Sequence, residues 1–287
     1  MAPRTEWPTR LTGLARRLGG SRDIADAAPP DAKQVAELAR QLTELLRLRT
    51  LPFGMKLYES AEEMAKVPGL RRPPEGRKFS TCQLVTQARI AGFTLGITLD
   101  NVPGFSNCGG VIGLNEPSEL YLSGRKFEGV WFENREAAAL HQAQMPRVPA
   151  RYAGLVVSPL RSARLDPPDI CLFYANPAQM ILFINGLQWK TYRRFDFSIT
   201  GESACADSWG RALRDRAPCL SIPCYAERRY GGVSDDEMLM ALPPADLAVA
   251  IEGLLGLSKA GLRYPIMPYG PQADPGEGMA KSYAGKV

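Results

Sequence analysis

The stretch Ile170-Cys171-Leu172-Phe173-Tyr174-Ala175-Asn176-Pro177-Ala178-Gln179-Met180-Ile181-Leu182-Phe183-Ile184 decides the fold class. Its first six residues are an unbroken apolar run, which reads as a strand buried on both faces. Asn176-Pro177 then opens a helix: proline is favoured in the first turn, where its missing N–H has no partner to lose. Met180, Ile181, Phe183, Ile184 and Leu187 supply the buried side of that helix. A buried strand running straight into an apolar helix is a unit of a layered α/β or α+β domain.

Working outward, residues 155–160 read as a second buried strand, and residues 52–58, 93–99 and 195–200 alternate as further strands. Residues 239–242 are one more short apolar run. Helices are expected over residues 31–49, where Val35, Leu38, Leu42, Leu45 and Leu46 recur at three- and four-residue steps behind Asp31 as N-cap. Others are expected from Cys82 to the stop at Gly92, over 133–143 with His141, and over 244–259. Residues 67–77 form a proline- and glycine-rich loop, and residues 100–110 a turn-rich loop that carries Cys108. The expected architecture is a mixed sheet sandwiched by helices, with cysteine-bearing loops at the strand ends. Residues 1–32 form a basic, Pro/Gly/Ala-rich extension with one short amphipathic helix around Leu11, Leu14 and Leu18. Residues 33–270 form one domain or two packed halves (33–150 and 151–270), and 271–287 a flexible tail.

Composition narrows the function. The chain has 287 residues, 45% of them hydrophobic and 23% charged, with 24 Pro and 27 Gly, which excludes a coiled coil, a collagen-like repeat and a disordered chain. A net charge of +5 from 35 basic and 30 acidic residues is too small and too evenly spread to point to nucleic acid. A small-molecule substrate is the expected partner, and a homo-oligomer stays open. There is a single histidine, His141, which excludes a histidine-rich metal cage. It is expected at the surface. No apolar segment is long enough to span a bilayer and the first residues lack an export signal, so the expected compartment is the cytoplasm. Thiols stay reduced there.

The six cysteines therefore read as core residues, metal ligands or reactive thiols. Cys171 sits between Ile170 and Leu172 and belongs to the core. Cys82, Cys108, Cys205 and Cys224 lie in polar, turn-forming surroundings. Three or four cysteines carried on separate segments can converge on an iron–sulfur cluster, whose soft irons prefer thiolate. The alternatives are ordinary buried thiols, or one low-pKa nucleophile beside Arg228 and Arg229. That arginine pair can fork onto a ligand carboxylate or phosphate. Lys56 is a candidate cleft residue on its strand, with snorkelling at a strand edge as the plainer reading. Asp235, Asp236 and Glu237 read as a cap for the segment that follows, and Trp131, Trp189, Tyr192 and Trp209 as core or pocket aromatics.

Taken together, Pro-Phe-Gly-Met-Lys-Leu from residue 52, Cys82-Gln83 with Ala88-Arg89, Cys108-Gly109-Gly110, Tyr174-Ala175-Asn176-Pro177, Cys205-Ala206-Asp207, Ile222-Pro223-Cys224 with Arg228-Arg229, and Lys259-Ala260-Gly261 carry a resemblance. The chain resembles domain-of-unknown-function family 169 over roughly residues 35 to 270. The resemblance implies cysteines at the positions of Cys82, Cys108, Cys205 and Cys224, and none at Cys171 or Cys219. It implies no activity.

The expectation is an iron–sulfur protein, with a [4Fe-4S] cluster on Cys108, Cys205, Cys224 and Cys82. An iron left open by a three-thiolate set would serve a non-redox lyase or hydratase reaction, with Arg228, Arg229 and Lys56 as candidate catalytic residues. The competing expectation is a non-catalytic ligand-binding or redox-sensing protein with structural cysteines.

Overall fold

A computed structural model describes residues 29–104, 107–190 and 194–268. The helix around Leu11, the residue Tyr192 and the tail from 271 lie outside the described residues.

In chain order the elements are α1 (Ala32–Leu46), β1 (Phe53–Tyr58), α2 (Ala61–Ala65), α3 (Thr81–Arg89) and β2 (Leu95–Thr98). A long excursion follows, holding α4 (Cys108–Val111), α5 (Glu119–Leu122) and α6 (Arg135–Gln144). Then come β3 (Gly154–Pro159), β4 (Ile170–Ala175), α7 (Pro177–Gln188), a π-helical turn (Ala206–Gly210), α8 (Arg211–Asp215), β5 (Cys219–Ser221), α9 (Tyr225–Gly231), β6 (Met238–Leu242) and α10 (Pro244–Lys259).

The six strands form one sheet in the order β2-β3-β1-β4-β6-β5. Every neighbouring pair is antiparallel, from Gly54 opposite Ser158 to Tyr174 opposite Leu239. The fold is thus helices on a sheet, as the sequence implied, but the sheet is antiparallel rather than mixed. Periodicity reveals that a run is a strand and is silent on the direction of its neighbour. Strands from residues 33–150 (β1, β2) interleave with strands from 151–270 (β3 to β6), so the two halves share one sheet and its two cores.

Helices cover both faces. On one, α1, α7 and α10 pack with Cys171, Phe173, Met240 and Leu242 in an apolar layer. Asp31 caps α1 and Asn176 caps α7, each closing a reciprocal capping box with Gln34 and Gln179. On the other face, Phe53, Met55, Leu155, Leu172, Tyr174 and Leu239 meet α3, α4 and the π turn with Trp209. The alternation of β1 places Phe53, Met55 and Leu57 on this second face.

Three expectations fail here. Residues 195–200 are no strand: the Phe195 and Phe197 rings stack 6.0 Å apart against the apolar layer, and the Thr200 N–H bonds the Asp207 carboxylate instead of a neighbouring strand. Alternation there reflects ring packing. The acidic triplet caps no helix, because it lies in the turn before β6. There Asp235 pairs with Arg228, Asp236 with Arg49, and buried Glu237 with Arg89. His141 is no surface residue. Its side chain is 12% exposed, with Nε2 3.2 Å from Glu202 Oε2 and the ring 4.9 Å from that of Phe132.

Candidate functional site: four thiols on one face of the sheet

Cys82, Cys108, Cys205 and Cys224 meet on the second face. Each sits at the start of a helical segment rather than on a loop: Cys82 in the first turn of α3, Cys108 first in α4, Cys205 just before the π turn, and Cys224 at the N-cap of α9. Close packing brings these segments together. The Thr86 hydroxyl of α3 donates to the Gly231 carbonyl at 2.6 Å and ties α9 to α3. A Cβ on Gly210 would lie 3.0 Å from Val111 Cγ1, which sets the π turn against α4.

The thiols sense one another. Those of Cys108 and Cys205 share a hydrogen bond, which with burial pushes Cys205 well above the ordinary thiol range, and Cys108, Cys82 and Cys224 add to the rise. Burial first, then Cys108, Glu227 and Cys224, raise Cys82 in the same way. Burial also raises Cys224, while the backbone N–H groups of Glu227, Ala204 and Ala226 pull it back. Ser203 Oγ lies 3.4 Å from Cys205 Sγ. Burial and the neighbouring thiols thus favour the protonated form of Cys82, Cys205 and Cys224, since each thiolate penalises the next. A soft cation that replaces the protons removes that penalty and releases them.

The other two cysteines take no part in this coupling, although Cys219 packs in the same core as Cys205. Cys171 lies on the opposite face, fully buried, and burial alone raises its pKa. Cys219, on β5, is pushed up to about 11 by burial, and the charges that modify it belong to Arg211, Asp215, Asp207 and Arg214 rather than to any thiol.

A buried polar network adjoins Cys82 and Cys224. Glu227 is completely buried, with Oε1 accepting the Tyr174 hydroxyl at 3.0 Å, and burial lifts its carboxyl to about 7. The Arg89 guanidinium lies over the Tyr174 ring at 4.1 Å and donates to Glu237 Oε2 at 3.0 Å. Arg89 Nε and Nη1 and Glu227 Oε2 are buried without a hydrogen-bond partner. Such orphaned atoms mark places where a polar guest belongs.

Sequence reasoning missed Glu227, Arg89 and Tyr174. One local signal was available. In Cys224-Tyr225-Ala226-Glu227 the glutamate stands at the third helical position, as in a capping box with cysteine in place of serine. The box is not closed by the thiol, which makes no capping hydrogen bond, but the Cys224 backbone is among the groups that lower the Glu227 carboxyl against the rise from burial.

The expected catalytic residues are placed elsewhere. Lys56 Nζ donates to the Asp166 and Pro167 carbonyls at 3.0 and 2.9 Å, and it alternates with Met55 and Leu57 onto the face opposite the thiols. The sheet separates it from the site. Arg228 donates to the Ser234 carbonyl at 2.8 Å and pairs with Asp235 at 3.4 Å. Arg229 is exposed and donates to the Tyr225 hydroxyl at 3.3 Å. Of the aromatics, Trp209 fills the core and Trp131 and Trp189 are exposed.

Among the described residues, no three His, Cys, Asp or Glu side chains are close enough together to hold a single metal ion. No helix among them is long and apolar enough to cross a membrane.

The chain belongs to domain-of-unknown-function family 169. The profile of that family, described as "Uncharacterised ArCR", matches residues 41–253, and all four converging thiols fall inside the match. The chain is similar to the "Uncharacterized protein MJ0308" of Methanocaldococcus jannaschii, with 25% identity over 228 residues that cover 78% of this chain and 95% of that protein. No solved structure matches. The match begins inside α1, at residue 41, and ends inside α10, at residue 253, so the extension before residue 29 lies outside it.

Proposed function

We propose that this member of family 169 is an iron–sulfur protein, with the cluster held by Cys108, Cys205 and Cys224 together with Cys82. The observation that carries the reading is the convergence of four thiols from four separate segments, while the two remaining cysteines stay outside the group. A one-ion site requires its ligands to crowd a single point. A cluster's thiolates bind different irons and stand farther apart, so the lack of a compact one-ion group is compatible with it. Peptide N–H groups facing Cys224 sulfur are the kind of neighbours that tune such centres.

The chemistry proposed is non-redox addition or elimination of water on a small organic substrate. Cys108, Cys205 and Cys224 would hold such a cluster, which with only three thiolates would supply Lewis acidity toward a hydroxyl or carboxylate. This chain's own contribution is a proton. Glu227 is neutral below about pH 7, and since Tyr174 occupies Oε1, the proton resides at the unpartnered Oε2. Arg89 holds the Tyr174 ring from the other side and keeps that hydroxyl in register. Lys56 has no part in this scheme.

Anaerobic reconstitution with ferrous iron and sulfide tests the reading. Bound iron and sulfide in near-equal amounts, with a broad visible absorption, are expected. A colourless, iron-free chain refutes it. Cys82→Ser separates the ligand sets: retained iron means three thiolates, and lost iron means four.

The hydrogen bond between Cys108 and Cys205 favours a second reading, a redox sensor in which hydrogen peroxide joins the two thiols as a disulfide and is itself reduced to two waters. Peptide mapping of the metal-free chain after peroxide treatment distinguishes it.

A further inference from the structure

The excursion between β2 and β3 carries Cys108 and touches the other cysteine-bearing segments at two places. Within it Asn107, next to Cys108, donates to Gln142 Oε1 of α6 at 3.2 Å. Tyr121 of α5 lies within electrostatic reach of Cys108. Trp131 meets Tyr225, the residue after Cys224, edge to face with ring centroids 5.8 Å apart. The adjacent Phe132 packs on His141, and His141 pairs with Glu202, three residues before Cys205. Tyr225, Trp131, Phe132, His141 and Glu202 thus make a chain of contacts running from one cysteine-bearing segment to another. Among the four thiols only Cys108 is more than marginally open to solvent.

The Trp131 and Tyr225 end of this rim is exposed. The side chains are 44% and 57% accessible, an unusual position for two large rings that touch each other. Arg229 stands at the Tyr225 hydroxyl, with its guanidinium 6.0 Å from the Tyr230 ring centroid. Two aromatic faces beside an exposed guanidinium match a flat, conjugated molecule that ends in a carboxylate: the rings take its π face and the arginine fork takes its charge. We infer that this rim is the substrate mouth of the thiol site and that it accepts a planar conjugated carboxylate. The inference rests on the iron–sulfur reading for what happens beyond the mouth, and on the rim alone for binding. It also gives Arg229 a role at the entrance rather than at the reacting atoms.

The test is calorimetric titration of the anaerobically reconstituted full chain with trans-cinnamate, with iron measured in the same sample. Cinnamate is expected to bind saturably. Cyclohexanecarboxylate, which keeps the charge and loses the flat face, and cinnamyl alcohol, which keeps the face and loses the charge, should each bind about tenfold more weakly or worse. Trp131→Ala and Arg229→Gln, both at exposed positions, should each weaken cinnamate by about tenfold. Iron-loaded protein that ignores cinnamate to millimolar concentration, or variants that bind it as well as the parent, would overturn the rim. Cinnamate binding to protein that takes up no iron would leave the rim standing and remove the cluster. Failure of both would remove both.

Discussion

The two faces of the sheet are built on opposite terms. Beneath α1, α7 and α10 the packing is mostly apolar and its buried polar groups are paired, as Gln179 is with the Leu46 carbonyl; α7 and α10 cross so closely that a Cβ on Gly253 would lie 2.0 Å from the Gly186 carbonyl oxygen. On the other face the interior holds the thiols of Cys82, Cys205, Cys219 and Cys224, with Cys108 half-buried beside them, together with Arg89, Glu227, Glu237 and Tyr174, and several polar atoms are left unpartnered. One face confers stability, and the other gives up some of it to keep reactive groups out of water. Interiors normally avoid unpaired polar groups because each costs about 1–3 kcal/mol. Their concentration on one face is the ground on which that face is proposed as the functional one.

The sharpest way to break this contrast is Arg89→Met. It leaves Glu237 buried without its cation, and a loss of about 3–5 kcal/mol is expected in chemical denaturation. The double variant Arg89→Met with Glu237→Leu should recover most of it, whereas an equal loss in both would show that the pair is not the reason.

Next in size is the pH dependence of the metal-free chain. Glu227 has a folded value of about 7 against an ordinary 4.5, so between those limits only the folded chain keeps the proton. The unfolded chain then binds fewer protons, and stability falls as pH rises from about 4.5 through 7, by about 3 kcal/mol in total. Glu227→Gln should flatten that slope. A slope that persists unchanged would place its origin elsewhere.

On the apolar face, Gly253→Ala forces a methyl group against backbone that cannot yield, and a loss of about 2 kcal/mol is expected with iron uptake per folded chain unaltered. Cys171→Ala is the smallest change, about 1 kcal/mol with no change in iron content. Loss of iron from Cys171→Ala would erase the distinction between the faces.

The sequence made the apolar face more legible than the thiol face, for a physical reason. Apolar periodicity encodes burial against hydrocarbon, so α1, α7, α10 and their caps at Asp31 and Asn176 were readable to within a few residues. The local polarity around Cys82, Cys108, Cys205 and Cys224 set them apart from Cys171, which lies in the apolar layer on the other face. Buried polar residues carry no such period. Glu227 stands in Ala226-Glu227-Arg228-Arg229, which looks like a solvated helix, and its burial follows from the packing of α9 on α3, where Thr86 holds the Gly231 carbonyl, a contact between distant segments. His141 on a polar helix was misread for the same reason, since Phe132 and Glu202 cover it from elsewhere in the chain. Lys56 was misjudged because alternation along β1 gives two faces without saying which one holds the site.

Iron-edge anomalous diffraction from crystals of the anaerobically reconstituted protein tests the central claim most directly. The account predicts one compact anomalous peak among the sulfur atoms of Cys82, Cys108, Cys205 and Cys224, in contact with at least three of them. Iron found only at surface positions, or those four sulfurs unligated in iron-replete crystals, would contradict it.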